Sequence, residues 1–306
     1  MHIFSMLLCT QAALSPEALI QVAVKTASLQ GETMSLARMI DICLNLVALD
    51  PELNVMHFAH ISFQEFLETK AEFALQYIHR VAATSCLDFC LEGSSIGMEI
   101  DLSPKDNFHR YSATYWAEHC RIATDNGSND LLTDKMREFI FDEGEIALTF
   151  VDWNQDVSKF TKKLPNDRIL VKELRSVIDS GGSPLFTACV FGLTPIVNDL
   201  FQMKEYNWNR TNNLGQSGLY LAAATGQETI VQGLLRLQVN VNISGGKFGH
   251  PLYAACANGH ASVVRLLLDN GANPRIGSKS VLGYSFLAGY KRVALLLLTS
   301  KFSILG

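Results

Sequence analysis

No run in this chain approaches the roughly 20 consecutive apolar residues a bilayer-spanning helix needs; Val293–Leu298 is far too short. Met1–Leu14 is apolar but lacks a basic leading stretch, so it does not read as a secretory signal. Prolines number only 8 in 306 residues and 48% of residues are hydrophobic, which excludes a disordered chain. Nothing matches the phosphate cradle G-x-x-x-x-G-K-[ST]: Gly245-Gly246-Lys247 is followed by Phe248. The seven cysteines are an odd number, mostly inside apolar helical patterns, which favours free thiols in a reducing compartment. Cys86 and Cys90 lie one helical turn apart, but no second pair with zinc spacing follows, so they read as a core pair. No strand–helix alternation exists to give Gly93-Ser94-Ser95-Ile96-Gly97 the context of a catalytic nucleophile, and it reads as a loop. We therefore expect no enzymatic activity, assign no catalytic, cofactor-binding or metal-binding residue, and expect a cytoplasmic chain without membrane contact.

What is present is unevenly charged. Residues 183–306 carry 10 Lys+Arg against 4 Asp+Glu, and residues 1–182 carry 15 against 26, for a net −5. This asymmetry places a domain boundary near 180.

The basic part is periodic. Gly192, Gly226, Gly259 and Gly289 are separated by 34, 33 and 30 residues. Each follows a short apolar segment: SPLFTACVFG, SGLYLAAATG, HPLYAACANG and VLGYSFLAG. Each precedes a second one: TPIVNDLF, ETIVQGLLRL, ASVVRLLLDN and KRVALLLL. In the third copy Pro251 suits a first helical position, where a missing N–H costs nothing. Val263, Val264, Leu266, Leu267 and Leu268 recur at helical spacing. A helix pair this short cannot bury both its stripes alone and must stack on copies of itself. The pattern resembles the ankyrin repeat, a helix-pair repeat of 33 residues. The fourth copy is short and degenerate. Val190 and Phe191 lie where such a repeat normally exposes variable residues, so the preceding segment is expected to cover them.

The acidic part begins with three helix signals, the second opening on Ser15-Pro16-Glu17 and the third on Ser35. Two extended runs follow, Leu46–Leu49 and Asn54–Ala59, and a capping box at Ser62–Glu65 opens another helix with Phe63, Phe66 and Leu67 inward. Three helices and a hairpin are the winged-helix arrangement. LLCTQAALSPEALIQVA and MIDICLNLVALDPELNVMHFAHISFQEFLE resemble the winged helix that follows the NACHT nucleotide-binding module in fungal STAND-class signalling ATPases. The same element carries the name of inositol deacylases, but a winged helix holds no hydrolase core. NFHRYSATYWAEHCR resembles the helical region after it. In that family an ankyrin array commonly closes the chain as sensor. The NACHT motor itself is absent from this sequence.

Helices are then expected over about 72–91, 104–122 after Ser103-Pro104, and 131–141, with loops at Gln30-Gly31-Glu32 and Asp125–Asp130; residues 142–180 have little pattern. The expected architecture is mainly α: a winged-helix domain at 1–70, a helical region and connector at 71–182, and an ankyrin-repeat solenoid at 183–306, with almost no β-structure outside 46–60. The implied function is a protein–protein interaction and regulatory module that binds a protein partner through the concave face and loops of the array. Candidate contacts are Asn212, Asn213, Thr225, Lys247, Phe248, Asn258 and Arg275; plain solvent exposure is the alternative for each. The alternative function is a nucleic-acid-binding regulator using the winged helix. Its third helix holds only Arg38 as a base, in a region of net −11, so phosphate repulsion opposes that reading and no nucleic acid is expected. His57 and His60 read as polar sheet-face residues, and His119-Cys120 as packing.

Overall fold

The structure is a computed structural model and describes residues 1–26, 34–93, 107–124, 130–161, 169–178, 181–203, 206–275 and 281–299. The Gln30-Gly31-Glu32 loop, Ser94–Gly97, the Ser103-Pro104 helix start and most of the Asp125–Asp130 loop lie outside these residues. The chain divides into two compact units, Met1–Phe160 and Thr161–Gly306.

The first unit opens with α1 (His2–Cys9), α2 (Pro16–Thr26) and α3 (Leu36–Ile42). The caps form as their sequence implies: Ser15 Oγ accepts from the Ala18 N–H at 3.3 Å, and Ser35 Oγ from the Arg38 N–H at 3.2 Å. Strands β1 (Val47–Asp50) and β2 (Val55–Phe58) pair antiparallel, with Val47 opposite Phe58 and Asp50 opposite Val55. Asp50 Oδ1 closes their turn by accepting from the N–H groups of Glu52 and Leu53 at 2.9 and 3.0 Å.

Helix α4 (Ile61–Glu68) departs from expectation. Ser62 lies within it and does not cap it, because the extended cap residue is His60, whose carbonyl already accepts from the Phe63 N–H at 3.1 Å. Phe63 does turn inward against Phe4 and Phe58. Phe66 instead is 52% exposed, with Lys70 Nζ 4.2 Å over its ring.

A 3-10 turn (Ala71–Phe73) leads to α5 (Leu75–Gly93) and α6 (Asn107–Thr124), which pack along their length. Their contact holds a polar network the sequence does not advertise. Tyr111 Oη is 2.7 Å from His119 Nε2, and His119 Nδ1 is 2.8 Å from His79 Nδ1. Burial drives the His119 pKa down to about 3 and lowers that of His79. The network is therefore neutral, with one imidazole donating to the other. Cys9, Cys86, Cys90 and Cys120 are buried beside it, and burial pushes the Cys9 and Cys90 thiols up to about 12. Neutral thiols of this kind pack as small apolar groups.

Helix α7 (Asp130–Ile140), strands β3 (Phe141–Asp142) and β4 (Glu145–Ile146), and α8 (Leu148–Thr161) complete this part. The two-residue hairpin β3–β4 is strand structure outside the expected 46–60. Trp116 meets Phe139 and Trp153 edge-on at 5.1 and 5.5 Å, and Trp153 Nε1–H donates to the Ala113 carbonyl at 2.8 Å.

The second unit begins with α9 (Ile169–Ile178), which buries Val171, Leu174 and Val177, a three-residue spacing that makes one helical face. Four helix pairs follow: α10 (Pro184–Phe191) with α11 (Thr194–Gln202), α12 (Gly218–Thr225) with α13 (Glu228–Arg236), α14 (Pro251–Ala257) with α15 (Ala261–Asp269), and α16 (Val281–Leu287) with α17 (Lys291–Thr299). The turn glycines Gly192, Gly226, Gly259 and Gly289 have φ of 76, 78, 80 and 77°. First helices stack on first helices and second on second, in chain order. Val190 and Phe191 are buried, and α9 packs against α10.

Candidate protein-binding surface

Each connection between helix pairs projects a loop, and these loops are locked to one another by asparagines. Asn207 Oδ1 accepts from the Asn209 N–H at 3.1 Å, and Asn209 Oδ1 from the Asn240 N–H of the next loop at 2.8 Å. Asn240 Oδ1 accepts from the Asn242 N–H at 3.0 Å, and Asn242 Oδ1 from the Asn273 N–H at 2.8 Å. Asn273 Oδ1 ends the ladder on the Arg275 N–H at 2.9 Å. Short turns and steps to the next repeat thus alternate through five side chains. Asn207, Asn240 and Asn273 recur every 33 residues, which is the signal that could have revealed the ladder.

The loop tips also meet. The Gly246 N–H donates to the Leu214 carbonyl at 3.0 Å. A Cβ on Gly245 would stand 1.6 Å from the Gly215 carbonyl oxygen, so only glycine fits there. Gly245-Gly246 is thus a close approach of two main chains.

The seven sequence candidates have different fates. Asn212 is 8% exposed; its Nδ2 donates to Gln216 Oε1 at 2.8 Å and its Oδ1 accepts from the Leu214 and Gln216 N–H groups. It holds the turn together. Thr225 is half-buried and its hydroxyl reaches the Leu221 carbonyl at 3.0 Å and the Cys189 carbonyl at 3.3 Å. Asn258 is exposed, yet its Nδ2 bridges the Ala224 and Ala254 carbonyls at 2.9 and 3.1 Å. Gln227 and His260 make the same kind of step between repeats, to the carbonyls of Val190 and Ala224 at 3.1 Å each.

Asn213, Lys247 and Arg275 are exposed on the loops. Lys247 Nζ lies 5.5 Å from the Phe248 ring. Phe248 stacks on Tyr253 at 5.7 Å, and Tyr253 meets Tyr284 at 5.9 Å. The Phe248 N–H donates to Tyr220 Oη at 3.2 Å, which fixes the loop tip over this tier of rings. Tyr253 and Tyr284 were missed in the sequence because they sit on helices, at positions that read as core. The arrangement offers Lys247 beside a half-buried Phe248 ring backed by Tyr253, and aromatic residues are enriched at protein interfaces. Among the described residues no group of three or more His, Cys, Asp or Glu could hold a metal ion. Nor is any helix there long and apolar enough to cross a membrane.

Comparison with known proteins agrees with this geometry. Residues 185–278 match the family model for ankyrin repeats, in three copies. The C-terminal part of the chain is thus an ankyrin-repeat array, a scaffold that implies protein partners. Helices α16 and α17 lie beyond the matched residues but repeat the same helix-pair arrangement. The azaphilone pigments biosynthesis cluster protein L of Monascus ruber is 27% identical over 264 residues, covering 80% of this chain and 48% of that protein. The chain spans about half the length of this curated relative.

Proposed function

We propose that this chain is a non-catalytic, cytoplasmic regulatory module, the sensor part of a fungal STAND-type signalling protein. Residues 1–70 are its winged helix, 71–182 its connector and 183–306 its reading surface. The array binds a protein partner through its concave face and loop tips, with Asn213, Lys247, Phe248 and Arg275 making the contacts. Asn212 holds the turn that carries Asn213, and Thr225 and Asn258 tie successive repeats together at the C-terminal ends of their first helices. The observation that carries this reading is the Lys247–Phe248 tip, held by Tyr220 and backed by Tyr253 and Tyr284. A rigid aromatic anchor loses little side-chain entropy on binding, and a neighbouring cation adds orientation. The likeness to a pigment-cluster protein about twice as long fits a part that acts within a larger assembly.

The test is affinity capture from cell extract with the wild-type chain and with a Phe248→Ala, Lys247→Glu double variant. A specific partner should be retained by the first and lost from the second, with circular dichroism unchanged. Equal capture by both would reject the loop tips as the contact. Retention of the wild-type chain on duplex DNA at low salt would favour the nucleic-acid alternative.

A further inference from the structure

The charges of the array are sorted by element. Its acidic side chains among the described residues are Asp199, Glu228 and Asp269, on the second helices α11, α13 and α15. The first helices α10, α12, α14 and α16 carry no charged side chain. Loop residues 206–217, 238–250 and 270–275 carry one cation each, Arg210, Lys247 and Arg275, and no acid. Lys204 and Glu205 lie outside the described residues. First helices and loops thus present positive charge only, while the carboxylates sit on the second helices.

Two of these cations stand beside apolar surface. Arg210 is exposed, and its guanidinium lies 5.6 Å from the ring of Phe186 on α10. Lys247 is exposed beside the half-buried Phe248, which stacks on Tyr253 of α14. Both loops therefore lean on first helices. Leu214 is 51% exposed, and its carbonyl accepts from the N–H of Gly246, the neighbour of Lys247. Asn212 and Gln216 fix the turn that presents it. The two loops are thus joined into one surface that combines two cations, an exposed leucine and an aromatic ring.

We infer that the segment this surface receives is an acidic peptide, with Asp or Glu side chains opposite Arg210 and Lys247 flanking an apolar side chain set against Leu214 and Phe248. The inference rests on the loop tips being the partner's contact. Charge complementarity selects the carboxylates, because a surface with cations and no acid draws a negative segment and repels a basic one. A nucleic-acid duplex fits less well. It carries a charge about every 1.7 Å, and a protein that holds one commonly neutralises about 6–10 phosphates, against a single cation per loop here. The exposed leucine, which phosphates would leave unused, gives an apolar side chain of the peptide its contact.

A library of random peptides displayed on phage, selected on the whole 306-residue chain in about 0.1 M salt, tests this without a prior choice of ligand. The enriched peptides should carry net negative charge around a leucine or an aromatic residue. In fluorescence anisotropy their affinity should fall about tenfold with Lys247→Glu or Arg210→Glu, and about threefold with Lys247→Gln. Arg265→Glu makes the same charge reversal at an exposed position on α15, and should leave affinity within about twofold. Enrichment of neutral or basic peptides whose binding is lost with Phe248→Ala overturns the acidic partner and leaves the loop-tip contact standing. Enriched peptides indifferent to both Phe248→Ala and Lys247→Glu overturn the two together. Equal loss with Arg265→Glu overturns the inference, because attraction to overall charge would then explain the binding. So does failure to enrich any peptide, or tighter binding of a duplex of about 20 base pairs than of the peptides in the same buffer.

Discussion

Leu267→Ala probes how the array is held together. Leu267 lies on α15 at 0% exposure, with Val263 and Val264 equally buried on the same face. Truncating a fully buried leucine removes its transfer energy and leaves a cavity, for a cost of about 2–5 kcal/mol. The helix pair that follows has little to offset this. Its buried side chains are Val281, Ser285, Val293, Ala294 and Leu297, and α17 rests on α15 itself. In a repeat stack, stability is a sum of weak repeats and strong neighbour contacts, so loss at the third repeat should free the fourth. Amide hydrogen exchange followed by mass spectrometry measures this segment by segment. Exchange through opening of residues from about 245 onward should accelerate roughly thirty-fold to several thousand-fold, each 1.4 kcal/mol being tenfold. Residues 1–120, with their own core, should keep their protection. Acceleration spread evenly over the whole chain would show a single cooperative unit and refute the reasoning.

Further predictions follow from other contacts. His119 is neutral and buried with its pKa lowered to about 3, so the unfolded chain takes up its proton first as pH falls. The stability it confers is complete above about pH 6.5 and lost as pH falls toward 3; urea denaturation of the first unit should show about 2 kcal/mol less at pH 5 than at pH 7.5. Gly226→Ala combines a φ of 78° with a Cβ 2.6 Å from His260 Nδ1, whereas Gly289→Ala has a φ of 77° and open space. The first should lower stability by about 1–3 kcal/mol more than the second in parallel denaturant titrations. Asn242→Ala removes the acceptor of the Asn273 N–H and the donor to the Gly271 carbonyl. It should cost about 1–2 kcal/mol, while Asn242→Asp, which keeps the acceptor, should cost less; thermal melts of the two variants decide this.

The parts that could be read from the sequence are those fixed by local rules. A glycine in the left-handed region ends each first helix, and a proline or serine marks its start, so four helix pairs follow from spacing alone. Ser15 and Ser35 cap helices because a short hydroxyl reaches the third N–H of the first turn. Ser62 misleads, since the same local rule competes with the chain's exit from β2, which puts the cap two residues earlier, at His60. The long-range bonds were hidden. His79 and His119 are 40 residues apart, and nothing in their surroundings marks them as partners. Asn212 looked like a loop contact because its type and position are those of a surface turn. Only its bonds to Gln216 and Leu214 show that it faces inward. The loop-tip cluster was half legible: Lys247 and Phe248 stand out in a glycine-rich loop, whereas Tyr253 and Tyr284 need the stacking of repeats to come beside them.

The most direct measurement of the central claim, that the array's loop tips receive a protein partner, is a hydrogen-exchange footprint on the captured complex. Bound partner should protect amides around 211–216, 244–249 and 271–275 and leave the first unit's pattern unchanged. Protection confined to residues 1–160, with the loop tips exchanging as in the free chain, would contradict it.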